Sequence, residues 1–180
     1  TGPGLGPEGT LEQRAVDRGL DLRLLPEMKR SLHPWRDVKC YFALKRMLKS
    51  YKPDIVHTHS SKAGIIGRRA AYALGIPCVH SIHGAAFHFG QPSVLFHAYR
   101  QAEKIADRWC QHFITVCHAM AEQYLAAGIG TPDKYTTIYS GMEVDHFLQP
   151  RRSRSEVRSE LGINDSHVVV GKIARLFNLK

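Results

Sequence analysis

Histidines 57, 59, 80, 83 and 88 crowd one short stretch of the chain, beside Ser60, Ser61 and Lys62. Imidazole can ligate a metal, exchange a proton near neutrality or hydrogen-bond a ligand, so chemistry is to be sought here. His57 and His59, two apart on a strand, share one face, and with His80 and His83 they raise the question of a zinc site. No Asp, Glu or Cys joins them at a convincing spacing. His57 also falls deeper in its run, where a hydrogen-bonded core histidine is the commoner outcome, so no metal is expected. Nucleophilic hydrolysis lacks a GxSxG turn, and Ser60 and Ser61 have no assigned carboxylate partner. A dinucleotide site would need GxGxxG and an acidic residue ~20 positions later, and neither is present. The residues alone give a crevice lined by His, Ser and Lys, with no reaction attached.

The elements that must hold these side chains are legible. Ile55–His59 and Cys78–His83 are short apolar runs rich in β-branched residues, each closing on histidine. Between them KAGIIGRRAAYALG predicts a helix stopped at Gly75-Ile76-Pro77. Strand, helix, strand of this length is a βαβ unit, and parallel strands require such a crossover. Ligands in open parallel sheets sit beyond the carboxyl ends of the strands. His59, Ser60, Ser61, Lys62, His83, Gly84 and His88 all fall there, with Gly84 taken as the tight turn beneath His83.

The 180 residues, 43% hydrophobic and 23% charged, suit one medium domain or one domain with part of another. No apolar run reaches the ~20 residues of a bilayer span. Cys40, Cys78, Cys110 and Cys117 form no CxxC pair and suggest reduced thiols in a cytoplasmic protein. The net charge of +9 bears on partners rather than fold. Two predicted helices carry much of it. In Trp35–Tyr51, an inner face of Val38, Tyr41, Leu44 and Leu48 opposes Arg36, Lys39, Arg46 and Lys49. In Val94–Trp109, a face of Val94, Leu95, Ala98, Ala102, Ile105 and Trp109 opposes Arg100, Lys104 and Arg108. Two solvated faces are the plain interpretation, and an anionic membrane surface is the sharper one. Nucleic acid is not expected, because no recognition-helix or RRM-like signature accompanies the charge.

Elsewhere, Thr10 is a candidate cap for a first helix stopped at Gly19, and Leu20–Leu24 alternates like a strand. Ser93 is a candidate cap for the second basic helix. Phe113–Cys117 and Tyr135–Tyr139 are further β-rich runs, separated by a helix over His118–Ala127. LQPRRSRS at 148–155 has the composition of a linker. Beyond it come a short helix over Ser155–Leu161 and a buried strand at Val168–Ile173. The chain opens as if a strand had just ended and stops within a strand-to-helix loop, so a fragment is expected.

Five motifs in order carry a resemblance. Asp54-Ile55-Val56-His57-Thr58-His59 precedes Ser61-Lys62-Ala63-Gly64; His83-Gly84 precedes Phe87-His88; then follow Thr115-Val116-Cys117, Tyr139-Ser140-Gly141-Met142-Glu143 with Phe147, and Gly171 with Ala174-Arg175 and Lys180. Together they resemble the retaining, nucleotide-sugar-dependent glycosyltransferases of family 4, which pair two Rossmann-like domains in the GT-B arrangement. The resemblance implies a doubly wound parallel α/β domain over 1–147, lacking its first strand. It is followed by a linker at 148–155 and the start of a donor-binding domain at 156–180.

By the same resemblance, His83 contacts the reacting sugar, while Arg175, Lys180 and Gly84 serve the donor. His59, Ser60, Ser61, Lys62, Gly64 and His88 shape the acceptor side. No cofactor is implied beyond the nucleotide-sugar substrate, and the acceptor would be lipid-linked or a glycan. The enzyme would be cytoplasmic, peripheral on the inner face of the membrane, and the fragment alone inactive. The rival reading is a non-catalytic α/β module that grips an anionic lipid or polymer.

Overall fold

The structure is a computed structural model, and it describes residues 1–3, 10–29, 31–88 and 90–172. Arg175 and Lys180 lie outside the described residues. The chain divides into two units, Thr1–Tyr139 and Ser140–Lys180, and the linker composition at 148–155 falls inside the second.

Helix α1 (Thr10–Asp17) comes first, and Gly19, at φ 69°, terminates its turn. Thr10 is the first helical residue. Leu20–Leu24 forms no strand among the described residues: Leu20 N turns back to Ala15 O at 3.0 Å and Leu22 N to Leu20 O at 2.8 Å, while beside them Thr1 N donates to Arg23 O at 3.0 Å and Leu25 N to Thr1 O at 2.8 Å. Alternation alone cannot make a strand without a neighbour long enough to form a ladder. Helix α2 (Pro34–Tyr51) follows, with His33 as N-cap and Lys52 as a left-handed C-cap at φ 50°.

Strands β1 (Val56–His59), β2 (Cys78–Ile82), β3 (His112–Thr115) and β4 (Tyr135–Thr137) form one parallel sheet in the order β1-β2-β3-β4. The crossovers are α3 (Ser61–Tyr72), α4 (Ser93–Asp107) and α5 (His118–Ala126). The result is a parallel, Rossmann-like α/β sheet with flanking helices. The register places His57 opposite Val79, Thr58 opposite His80 and His59 opposite Ser81.

Helix α3 lies close on the sheet because its inner stripe is small. A Cβ on Gly64 would lie 2.3 Å from His80 Cε1, and one on Gly67 would lie 2.6 Å from Thr58 Cγ2. Ala70 and Ala71 continue that buried stripe. Beyond it, Ile82, Phe87, Cys110, Phe113, Tyr124, Ala127 and Ile129 form the core beneath α4 and α5.

The α4 face differs from the expectation. Val94, Leu95 and Ile105 are exposed, whereas Phe96 and Tyr99 pack on the core and Glu103 and Ala106 are buried. The reason is a buried ion pair: Glu103 Oε2 accepts from Arg68 Nη2 of α3 at 2.7 Å, which turns the helix so that the carboxylate faces inward. Arg68 also donates from Nε to Gly64 O at 3.1 Å and lies 5.9 Å from the Phe113 ring centroid. Arg100 is not part of a free basic stripe, since its guanidinium donates twice to Ala127 O, the C-cap of α5, at 3.2 and 3.0 Å. Nor does Ser93 cap α4: the N-cap is Pro92, and Ser93 is the first helical residue. On α2, Val38 is exposed rather than inward, and Cys40 takes the buried position.

In the second unit, α6 (Asp145–Leu148) and α7 (Arg154–Glu160) are short helices. A capping box between Ser153 and Glu156 starts α7. Arg158 is buried and donates to His167 O at 2.8 Å and to Asn164 O. Of the apolar run Val168–Ile173, the described residues 168–172 form no strand, and Val168, Val169 and Val170 are exposed.

Candidate active-site rim

At the carboxyl edge of β1 and β2 the side chains of His59 and His83 meet, Nδ1 of the first lying 2.9 Å from Nε2 of the second. The register explains the meeting, because His59 lies opposite Ser81 and His83 is two residues further along. His57, on the same strand face as His59, lies with its ring tilted 38° to that of His59 at 4.3 Å between centroids and hydrogen-bonds Ser81 Oγ through Nε2 at 2.8 Å. His57 is therefore an exposed member of the rim cluster rather than a core residue. His80 points the other way, buried beneath Gly64, with Nδ1 2.9 Å from Thr58 Oγ1. Among the described residues no group of three or more His, Cys, Asp or Glu is arranged to hold a metal ion.

Burial first, then the neighbouring His57 and His83 imidazoles, lower the pKa of His59 below its usual value. Burial and the Arg68 charge hold His80 neutral down to about 3. A contact between two ring nitrogens needs one to carry a proton and the other to be bare. The His59–His83 pair can therefore both donate and accept toward hydroxyl groups.

The loop carrying His83 is pinned from below. Phe87 is buried in the core at 5.0 Å from the Tyr124 ring and 5.6 Å from Phe96, centroid to centroid. Tyr124 Oη accepts from Ala86 N at 3.3 Å, and Gln123 Nε2 donates to Phe87 O at 3.0 Å. Side chains on so anchored a loop hold their place. Gly84 has open space around its Cα and no left-handed backbone, so the turn after His83 does not depend on glycine. His88 is exposed and tied into its own loop, accepting from Gly90 N at 3.2 Å on Nδ1.

Between β1 and α3, Ser60 adopts φ 64° and ψ 153°, a conformation nearly confined to glycine. Strain of that kind persists only where the surroundings impose it. Ser60 makes no side-chain cap, so the first-turn amides of α3, beginning at Ser61, are left to solvent or a ligand. Lys62 is committed elsewhere: it pairs with Asp37 of α2 and donates to Lys29 O at 2.9 Å and Ser31 O at 2.7 Å. Gly64 is buried against His80 and serves packing. The structure thus brings His59, Ser60, Ser61 and His83 to one rim, uses Lys62 and Gly64 to hold it, and adds His57 and Ser81. The HxH spacing signalled His57, but Ser81 carried no sequence signal beyond its register.

The sequence profile of Glycosyltransferase Family 4 matches residues 5–146. The chain belongs to glycosyltransferase family 4. It is 31% identical to the UDP-Gal:alpha-D-GlcNAc-diphosphoundecaprenol alpha-1,3-galactosyltransferase of Escherichia coli, over 92% of this chain and 43% of that protein. It is 26% identical to the D-inositol 3-phosphate glycosyltransferase of Streptomyces scabiei (strain 87.22), over 71% of this chain and 29% of that protein. The chain thus spans less than half the length of these relatives. In fold it is similar to Anabaena Alr3699/HepE in complex with UDP, with a TM-score of 0.61 at 16% identity, covering 86% of this chain and 40% of that one. A glycosyltransferase from Rickettsia africae is comparable, with a TM-score of 0.57 at 17% identity over 88% and 40%.

Proposed function

We propose that this chain is the acceptor-side half of a glycosyltransferase that moves a hexosyl group from a nucleotide sugar to a lipid-linked or polysaccharide acceptor, with retention of configuration. Its donor-side domain would be encoded beyond Lys180, and the 180-residue chain alone would transfer no sugar. The family supports the reaction type. The Escherichia coli relative, named for transfer from UDP-Gal to a diphosphoundecaprenol-linked GlcNAc, favours a lipid diphosphate acceptor. A UDP donor is favoured by that name and by the HepE complex. A lipid-linked acceptor would put the work at the cytoplasmic surface of a membrane.

The observation that carries the proposal is the His59–His83 contact at the rim, beside the uncapped start of α3. As the bond from the anomeric carbon to the diphosphate breaks, positive charge spreads over the sugar ring and negative charge collects on the leaving group. The imidazoles hydrogen-bond sugar hydroxyls, with His59 orienting His83. The first-turn amides of α3 offer donors to an anionic group. By the family resemblance, Arg175 and Lys180 would supply the fixed cations for the diphosphate, a role that does not require a metal.

The test is to express the complete reading frame and assay a panel of nucleotide sugars against a GlcNAc-diphospholipid acceptor, reading the product's anomeric configuration by NMR. Transfer with the donor's configuration kept is expected. Inversion would overturn the stereochemical assignment, and no transfer from any donor to lipid-linked or glycan acceptors would overturn the proposal.

A further inference from the structure

One face of the β1–β2 pair carries a small network of four side chains. Side chains alternate along a strand, so His57 and His59 of β1 share a face. Ser81 of β2 and His83 just past its end share the same one, with His59 directly opposite Ser81. Ser81 is buried, and the one hydrogen bond of its side chain among the described residues runs diagonally, from Oγ to His57 Nε2 at 2.8 Å. On its other side Ser81 faces Ile114 of β3, whose side chain has no polar atom. His57 lies against the His59 ring at 4.3 Å between centroids, and His59 Nδ1 meets His83 Nε2 at 2.9 Å. All three imidazoles are exposed. The ring torsion of histidine is broad, so the planes of exposed rings depend on these contacts.

We propose that Ser81 and His57 are positioning residues for His83. Ser81 anchors the His57 ring, His57 walls the His59 ring, and His59 holds His83 by Nε2. The contact decides which atoms are left over. A neutral imidazole carries one N–H. With His59 Nδ1 and His83 Nε2 engaged with each other, His59 Nε2 and His83 Nδ1 are the nitrogens left for a ligand. Whichever ring donates within the pair, one of these outer nitrogens is a donor and the other an acceptor. A His83 released from His59 would offer either nitrogen, and that definition would be lost. A buried strand serine that needed only a partner could bond a nearby backbone carbonyl. Ser81 instead holds an exposed ring, the first of three in contact. The inference rests on the glycosyl-transfer reading above for the identity of the ligand as a sugar, while the chain of contacts stands without it.

The test has a structural and a kinetic arm. In the full 180-residue chain, NOEs between the His57 and His59 rings and between the His59 and His83 rings are expected for wild type and for Ser81→Thr, which keeps the hydroxyl. Ser81→Ala and His57→Ala should each lose the His59–His83 cross-peaks while the unfolding midpoint changes little. In the complete enzyme, Ser81→Ala should lower kcat about ten-fold at nearly constant KM, the kinetic equivalent of one modest hydrogen bond. Ser81→Thr should restore the rate. In a His83→Ala background, Ser81→Ala should cost nothing further, because both substitutions act through one ring. Ring contacts missing from the wild type or surviving Ser81→Ala, an unchanged kcat, or a loss that persists in full without His83 would each overturn the proposal. A complete enzyme that transfers no sugar would instead overturn the glycosyl-transfer reading, and the ring contacts would still decide the positioning.

Discussion

The imidazoles of His59 and His83, from the ends of neighbouring parallel strands, meet nitrogen to nitrogen at 2.9 Å. His83 is among the groups that lower the pKa of His59, after burial and His57. A histidine NMR titration should therefore place the His59 midpoint below 6.5, and His83→Ala should move it upward. A midpoint indifferent to His83 would mean that the rings do not face one another in solution.

Gly64, an acceptor-side residue by the resemblance, faces His80. Gly64→Ala should cost about 1–3 kcal/mol in chemical denaturation, because the new methyl group would overlap a buried ring. Gly84→Ala, with open space at its Cα, should stay within about 0.5 kcal/mol. Equal effects at the two positions would contradict the close seating of α3.

The Arg68–Glu103 pair is fully buried, and Arg68 Nη1 and Glu103 Oε1 have no hydrogen-bond partner among the described residues. Removing the carboxylate with Glu103→Ala should destabilise by about 3–5 kcal/mol, since a buried guanidinium is left uncompensated. The double replacement Arg68→Met/Glu103→Leu should recover most of that loss. Additive losses in the double variant would show that the helices need the charges and not merely the volume.

How much of this was visible beforehand depended on range. The four strands could be read from β-branched runs, and the helix stops from Gly75 and Gly128, both left-handed in the structure. The placement of His59 and His83 at one rim followed from the βαβ pattern alone. The orientation of α4 did not, because a carboxylate is drawn inward only by a guanidinium 35 residues away. The tie of Lys62, an acceptor-side residue by the resemblance, is hidden for a similar reason: its partner Asp37 lies on a different helix, and no local pattern links them. Leu20–Leu24 alternated correctly and still made no strand, since pairing belongs to the neighbour as much as to the segment.

His80 provides a pH signature. Folded, it stays neutral to about 3, whereas the unfolded side chain protonates near 6.5, so the unfolded state binds the extra proton between those values. Stability from this group is intact above 6.5 and falls as the pH drops, by about 1.4 kcal/mol per unit while the difference lasts. Denaturation curves for wild type and His80→Gln should diverge in slope below pH 6. Parallel slopes would mean that His80 is protonated in the fold.

The most direct measurement of the functional account is steady-state sugar transfer by the complete enzyme carrying His83→Ala. If His83 touches the sugar as charge develops, kcat and kcat/KM should fall together by roughly 10²-fold, about 2.7 kcal/mol of transition-state stabilisation. Donor affinity and the unfolding midpoint should change little, because the diphosphate would be held from the other domain and a rim imidazole buries little apolar area. Full activity in the variant, or a loss that only follows unfolding, would contradict the account.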